Sequence, residues 1–514
     1  MDDAIARTTE LDLDRFRLRK FIDGQIGTSE IDLVEDPQSL IDLARHMDGN
    51  PRAVLFRKAG PDAVELVGNV IGSERLAAAF DTPRHKLPEE VMRRLGTLQD
   101  IVEIASNAAP VHQVKLTGDD ADLTRLPAHL QHACDGGPYI SSSIDYVIDP
   151  ETGLTNTGCR RLMLRGRQET GIDLVAPSDL REIYLRSAAR SEPLPIAFTV
   201  GAHPIDFVAA NMRLPGDELP LLASLRGAPL PVVKCLTNNI RVPADAEMVL
   251  EGYLDARGHV EPEGPYGEFF GYYGLMKQNP TFHLTAITSR HDPLFQTTTI
   301  GGRYLSSTET AQLGRLRTEV AIWRALQSAV REPVAVYATT ASNGCNHVRV
   351  ALRQRVPGEA RNAIAAIFGA LANVKHVFVV DDDIDVTSDE QIEWALSTRF
   401  QADRDLVVQS GFRVLPLDPS LDGRRTGSKA GFDLTLPFGQ REALALRVPE
   451  PPQKGTARFQ TVREALQSGP MMFGEIMAAL GSDDGREIVL HLDELRSEGV
   501  ITRLEEGEYS LMDS

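Results

Sequence analysis

Between residues 261 and 274 the chain reads Glu-Pro-Glu-Gly-Pro-Tyr-Gly-Glu-Phe-Phe-Gly-Tyr-Tyr-Gly. Six glycines and prolines in this stretch are too many for a helix, and the glycines are too many for an ordinary strand, so the spacing predicts an ordered loop. Permissive backbone at several positions costs entropy on folding. A loop built this way is therefore expected to approach a ligand or another chain segment closely. It carries two acids, Glu263 and Glu268, five residues apart. A second stretch, Thr155-Asn156-Thr157-Gly158-Cys159-Arg160-Arg161, has a similar mixture of small, polar and basic residues, and the two are read as one site.

Both stretches lie in a region of short β-rich runs, at 140–148, 196–200, 230–236, 247–253 and 281–289, separated by turn residues. Runs of that length favour a barrel or sandwich over about 126–310, with a ligand at its mouth. The flanks alternate instead. Helical patterns at 15–22, 38–47 and 88–105 with a strand at 53–56 predict a small α/β domain over 1–125. A helix at 313–328, strands at 334–338, 348–352 and 377–380 and a helix at 360–371 predict a second α/β domain over 311–450. Beyond the proline-rich linker at 449–452, residues 455–514 show helical patterns at 461–466 and 473–480, then Ile488, Leu492 and Leu495 on one face of a third helix. A hairpin-like run follows from Gly499 to Tyr509. A winged-helix-like tail is predicted. From Gly455 onward it holds twelve acidic against five basic residues, with Asp493, Glu494 and Glu498 on or beside the third helix, which disfavours DNA contact and leaves a packing or oligomerisation module. The fold class is thus multidomain α/β with a β-barrel, and 514 residues suit three or four domains.

A formal charge of −19 argues against general binding to nucleic acid or anionic membranes. No apolar run is long enough to span a bilayer and the start, Met1-Asp2-Asp3, is not a signal peptide, so a cytoplasmic location is expected. The four cysteines, Cys134, Cys159, Cys235 and Cys345, form no CxxC pair, which makes a zinc cluster or a disulfide framework a poor reading. Cys159 is flanked by Arg160 and Arg161, which would favour a thiolate, but no histidine close in sequence offers a base. The acidic run at 381–385 lacks the glycine and distal glutamate of a calcium loop and reads as a charged turn.

Two carboxylates confined together can hold one proton between them, the state a general acid needs, and a nearby arginine would orient them. Glu263 and Glu268 with Arg161 have that composition; the alternative is a pair of glutamates on an exposed turn. Asn156 could reach a metal, or simply form a turn. Lys429 follows Gly423-Arg424-Arg425-Thr426-Gly427-Ser428, a basic segment able to pair with a phosphate or to stand as a solvated loop. No glycine-rich nucleotide-binding signature is present.

Together these residues resemble the UbiD-type decarboxylases, which use prenylated FMN (prFMN), over roughly residues 100–445. The motifs are Asn156 followed by Arg161, the loop Glu263-Gly-Pro-Tyr-Gly-Glu268 leading into Gly271-Tyr-Tyr-Gly, Val232-Val-Lys-Cys235 followed by Val242-Pro-Ala-Asp-Ala-Glu247, and Lys429 ahead of Gly431-Phe-Asp. The resemblance implies a split β-barrel flavin-binding domain and a catalytic Arg-Glu-Glu triad of Arg161, Glu263 and Glu268, with Glu268 the proton donor. It implies that Asn156 and Glu218 hold a divalent cation, manganese or magnesium, against the flavin phosphate. Lys429 would lie on the phosphate side, the backbone of Gly158, Cys159 and Arg160 would line the flavin, and the carbonyls of Ala209, Ala210 and Met212 would hold a potassium ion. It also implies a flavin prenyltransferase as cofactor supplier and a homodimer or a homohexamer built as a trimer of dimers.

One departure stands out. Where the family commonly has a glutamine-histidine pair, this chain has Ser178-Asp179, within Val175-Ala-Pro-Ser-Asp-Leu180. Asp179 could serve as a hard-cation ligand, or the pair could be an ordinary helix cap after proline. The activity implied is reversible non-oxidative decarboxylation of an aromatic, heteroaromatic or α,β-unsaturated carboxylic acid. The alternative is a flavin-binding protein whose cofactor activation is lost through Asp179.

Overall fold

A computed structural model of the chain describes residues 11–212, 215–441 and 443–512; the acidic start, Met1-Asp2-Asp3, lies outside them. The chain divides into two compact units, Met1–Thr435 and Leu436–Ser514.

At the centre of the first unit six antiparallel strands close into a barrel. They are β1 (Tyr139–Ile148), β2 (Thr155–Leu164), β3 (Glu169–Ile172), β4 (Leu194–Val200), β5 (Met248–Leu254) and β6 (Thr281–Ser289), and the order around the barrel is β1-β2-β3-β6-β5-β4. Closure is set by register: Leu250 lies opposite Phe198 on β4 and Ile287 on β6. Side chains alternate across each strand, so Ile196, Phe198 and Val200 join one hydrophobic cluster while Ala197 joins another. Phe198 and Phe282, on strands that do not pair with each other, meet edge to face with ring centroids 5.0 Å apart. Hydrocarbon fills the barrel, and the polar chemistry is carried elsewhere.

Segments on both sides of the barrel region cross its expected limits. Val114–Thr117 extends β6, and Ile101–Glu103 pairs in parallel with Leu230–Lys234, so chain ahead of residue 126 contributes strands to this part of the fold. Phe295–Gln296 in turn adds the last strand to the N-terminal sheet formed by Ile31–Val34, Ala53–Ala59 and Val64–Gly68. The helical reading of 88–105 is corrected: the helix is Leu87–Leu95, capped at Gly96, and the β-branched Ile101 and Val102 go into a strand. Likewise only Leu43–Met47 of 38–47 is α-helical, because Gln38 bridges to Ala59.

Three helices pack beside the barrel: α1 (Asp179–Ala189), α2 (Pro204–Asn211) and α3 (Glu218–Arg226). Asp217 caps α3, its side chain accepting from the Leu219 amide at 3.2 Å, and left-handed Gly227 ends it. Helix α4 (Glu309–Ala329) then leads into a five-stranded sheet ordered Pro333–Ala338, His347–Leu352, His376–Asp381, Thr426–Asp433, Leu406–Arg413. The acidic run at 381–385 is tied up by arginines. Arg399 pairs with Asp381 and Asp383 at 3.4 and 2.6 Å, and Arg353 with Asp382 at 2.7 Å.

The second unit holds helices Val462–Gln467, Phe473–Leu480 and Arg486–Ser497 and a hairpin of Ile501–Arg503 with Tyr509–Leu511, the order of elements in a winged helix. Val462, Leu466, Ile476, Ile488, Leu492 and Leu495 form its core, while Asp493, Glu494 and Glu498 face solvent. No helix among the described residues is long and apolar enough to cross a membrane.

Candidate active site

The glycine-rich stretch folds back on itself through two small ladders. Glu261–Glu263 pairs with Lys277–Asn279, which puts Glu263 opposite Lys277, and Tyr266–Gly267 pairs with Tyr273–Gly274. Two glycines are required by close approach. A Cβ on Gly274 would lie 2.7 Å from Glu268 Oε1, and one on Gly171 of β3 would lie 3.0 Å from Glu263 Cγ. The loop thus buries both acids, Glu263 at 1% and Glu268 at 4% exposure, which overturns the exposed-turn reading.

Arg161, from β2, joins them. Its Nε donates to Glu263 Oε1 at 3.3 Å, Nη1 to Glu268 Oε2 at 3.3 Å, and Nη2 to Glu268 Oε1 at 3.1 Å. Its guanidinium stacks on Tyr266, 4.3 Å from the ring centroid. Burial would lower the guanidinium's pKa, but Glu263, Glu268 and Asp173 outweigh it and hold it above the ordinary value. Tyr139 donates its hydroxyl to Glu263 Oε1 at 3.0 Å; burial and the Glu263 charge hold that phenol protonated far above its usual range.

Two charged partners escaped the sequence reading. Asp173, just past β3, accepts from Arg161 Nη2 and from Lys277 Nζ, both at 3.0 Å, and Lys277 Nζ also lies 3.7 Å from Glu268 Oε1. Burial would raise the Asp173 carboxyl, but Arg161 and Lys277 prevail and keep it below its usual value. No motif spacing marks either residue. Reading 261–279 as a hairpin would have placed Lys277 across from Glu263.

A second cluster forms where β2 begins. Glu218, the first residue of α3, accepts from the Thr157 amide and, at 3.3 Å, from Asn156 Nδ2. Burial pushes the Glu218 carboxyl up to about 7 against the Thr157 hydrogen bonds, and the nearby charges of Asp145 and Asp179 push the same way. Ser178 caps α1 by accepting from the Arg181 amide at 3.3 Å, so the cap role falls to the serine while Asp179 stands exposed in the first turn. Arg160 turns to Asp145, Nε to Oδ1 at 3.2 Å, and Gly158 is packed there too, since a Cβ would lie 3.0 Å from that oxygen. Among the described residues no group of three or more His, Cys, Asp or Glu forms a metal cluster. The Asn156 amide and the Glu218 carboxylate are nonetheless hard oxygen donors of the kind a divalent cation takes. At the end of α2 the last-turn carbonyls, those of Ala209 and Ala210 among them, carry the negative end of the helix dipole, and Met212 follows as the extended C-cap whose amide donates to Ala209 O at 3.0 Å.

The surroundings of Cys159 disfavour a thiolate. Burial pushes its thiol up to about 12 against the pull of Arg160, and the thiol donates to the Phe207 carbonyl at 3.9 Å. Cys235 and Cys345 are buried and shifted upward as well, whereas Cys134 is exposed. Iodoacetamide at pH 8 should therefore label the folded protein at Cys134 alone, as peptide mass spectrometry would show; rapid labelling at Cys159 would contradict this environment.

The reading of Lys429 as a residue of a flexible basic loop is corrected. It lies in the strand Thr426–Asp433, 1% exposed, and its ammonium donates to the carbonyls of Phe368 and Leu371 at 3.0 and 2.6 Å. Burial pulls its pKa down to about 8. These contacts occupy the group expected to meet a phosphate. Lys429 does line a cavity of about 140 Å³ together with Phe270 of the acidic loop.

The chain matches known proteins over most of its length. Residues 102–304 match the 3-octaprenyl-4-hydroxybenzoate carboxy-lyase Rift-related domain, and residues 311–434 the C-terminal domain of the same carboxy-lyase family, UbiD. An anhydromevalonate phosphate decarboxylase of Methanosarcina mazei is 31% identical over 394 residues, 76% of this chain and 88% of that protein. The UbiD-class enzyme HmfF from Pelotomaculum thermopropionicum, solved in complex with FMN, superposes with a TM-score of 0.79 at 30% identity, covering 84% of this chain and 97% of that one. An evolved dimeric form of HmfF in complex with prFMN gives 0.76 at 29% identity, covering 85% and 97%.

Proposed function

This chain belongs to the UbiD family of carboxy-lyases, and from that premise we propose that it catalyses reversible, non-oxidative decarboxylation of an aromatic, heteroaromatic or α,β-unsaturated carboxylic acid with prFMN. The observation that carries the reading is the buried Arg161 fork holding Glu263 and Glu268 together.

Loss of CO2 from an unsaturated carbon leaves an electron pair outside the π system, and bound prFMN would supply the electron sink. The chain's own residues do the rest. Arg161 engages the substrate carboxylate or holds the two acids. Glu268 delivers its proton to the carbon that loses CO2, and in the carboxylation direction takes it back. Glu263 is held by Arg161, Tyr139 and Asn279, and keeps the guanidinium aimed. Arg161 and Lys277 face Glu263, Glu268 and Asp173, so three ionised acids would leave an excess negative charge before any substrate carboxylate arrived. The donor role of Glu268 in this reading rests on its place in the Arg161 fork, with both carboxylate oxygens facing the guanidinium.

Asn156, Asp179 and Glu218 would hold manganese or magnesium at the flavin phosphate, with the backbone of Gly158, Cys159 and Arg160 along the flavin and the α2 carbonyls taking potassium. In this reading Asp179 would turn a hard oxygen to the cation in place of the usual ligand pair, so a working cofactor site is preferred to an inactive flavin binder. Glu218→Gln should weaken metal retention by more than about 10-fold, with flavin lost in parallel, as metal analysis and flavin absorbance of the purified protein would read. Unchanged metal and flavin content would remove Glu218 from the ligand set. Subunit assembly as a dimer, or as a hexamer of three dimers, follows the same family reading.

The whole proposal is tested by co-expression with a flavin prenyltransferase, mass spectrometry of the bound cofactor and a CO2-release screen. The panel should span aromatic, heteroaromatic and acrylic acids, and the relative's name adds anhydromevalonate phosphate. Bound prFMN with CO2 release supports it; ordinary or no flavin with no CO2 release overturns it.

A further inference from the structure

The Asp173–Lys277 couple has no part in the Arg-Glu-Glu triad, yet it touches two of its members. Lys277 Nζ stands 3.0 Å from Asp173 Oδ2 and 3.7 Å from Glu268 Oε1, and Asp173 Oδ2 stands 3.0 Å from Arg161 Nη2. The side chains of Lys277 and Asp173 are 26% and 16% exposed, whereas Glu268 is buried, so the couple is the solvent-side edge of the cluster. Its position is built into the backbone. Lys277 sits across the ladder from Glu263, and Asp173 follows β3, which pairs with β2 beside Arg161.

We propose that Asp173 and Lys277 are positioning residues that set the protonation of Glu268 in opposite senses. Lys277 places a cation at Oε1 and favours the ionised acid. Asp173 draws both Lys277 and Arg161 toward itself, and so weakens their hold on Glu268. Oε1 meets two cations, Arg161 Nη2 at 3.1 Å and Lys277 Nζ at 3.7 Å, whereas Oε2 meets Arg161 Nη1 at 3.3 Å, so the couple acts on the Oε1 side of the carboxylate. The other groups around the acid are Glu263, which shares Arg161, the Tyr266 phenol beneath the guanidinium, and Asp135 with His132 beside Gly267. Tyr139 and Asn279 face Glu263.

The inference rests on the proposed role of Glu268, and its test is independent of turnover. Infrared titration of the carboxyl band that Glu268→Gln removes is read in the purified protein without cofactor. Lys277→Met should move its midpoint up by about one pH unit and Asp173→Asn should move it down by a comparable amount, while Lys277→Arg should restore the parent value. In the loaded enzyme the alkaline limb of kcat/KM should move in the same two directions. Shifts of the same sign, or none, would overturn the proposal. A parent protein that releases no CO2 would sink the decarboxylase reading instead, and the infrared midpoints would still decide this one.

Discussion

Replacing Glu268 with glutamine is expected to cut CO2 release by about 10²- to 10⁴-fold, the usual contribution of a positioned general acid. Glutamine preserves the shape. Its amide oxygen can keep one of the two contacts to the Arg161 fork, so the packing of Tyr266, Gly274 and Gly301 around the loop is retained and the thermal unfolding midpoint should stay near that of the parent. What is lost is the proton. Substrate-dependent hydrogen exchange at the reacting carbon should fall by the same factor as CO2 release, because both need that transfer. Glu263→Gln should be milder, since Glu263 works through Arg161 and Tyr139 also holds its place. Full turnover in the Glu268 variant would leave the site without its acid, and the proposed mechanism with it.

Much of this arrangement was legible in the sequence, for reasons that differ by element. The β-runs at 140–148, 196–200 and 281–289 match barrel strands to within two residues, because β-branched and aromatic residues between turn formers leave few alternatives. β2 was harder. Gly158 and two adjacent arginines lower its strand propensity, and it declares itself only through its pairing with β1 and β3. Local pattern could not give the burial of Glu263 and Glu268 either, since it depends on Gly171 of β3 as well as Gly274 leaving space. Lys429 shows the converse. Its glycine- and arginine-rich approach reads as a mobile loop, but pairing with Leu406–Arg413 and His376–Asp381 makes it a buried strand residue. Asp173 and Lys277 have no spacing signature at all, and only the closing of β3 and the loop hairpin brings them to Arg161.

The largest stability effect is expected at Arg226, at the end of α3. Its guanidinium donates from Nε and Nη2 to the two oxygens of Asp206 at 2.8 and 2.7 Å, and from Nη1 and Nη2 to Asp245 at 2.7 and 3.2 Å. All three residues are 3% exposed or less. Arg226→Met would keep much of the volume and leave two carboxylates buried without a counter-ion, at a cost of about 3–5 kcal/mol. Denaturant unfolding at pH 7 would show it as a lowered midpoint with an unchanged slope. Burial already raises the Asp245 carboxyl against the pull of Arg226. In the variant the pull of Arg226 is gone and only the smaller pull of Arg290 opposes that rise, so Asp245 would favour the folded state below its unfolded pKa and lose that contribution as pH rises through the folded value. The deficit should therefore shrink as the solution is acidified. Adding Asp206→Asn and Asp245→Asn to Arg226→Met should recover part of the loss at pH 7, because it removes the two buried charges while leaving neutral amides short of partners. The network also ties α2, which carries the Ala209 and Ala210 carbonyls, to α3, whose first residue is Glu218. Loosening it should thus weaken metal and flavin retention in Arg226→Met well before the protein unfolds. A variant within about 1 kcal/mol of the parent, the range of an exposed ion pair, would contradict the buried network.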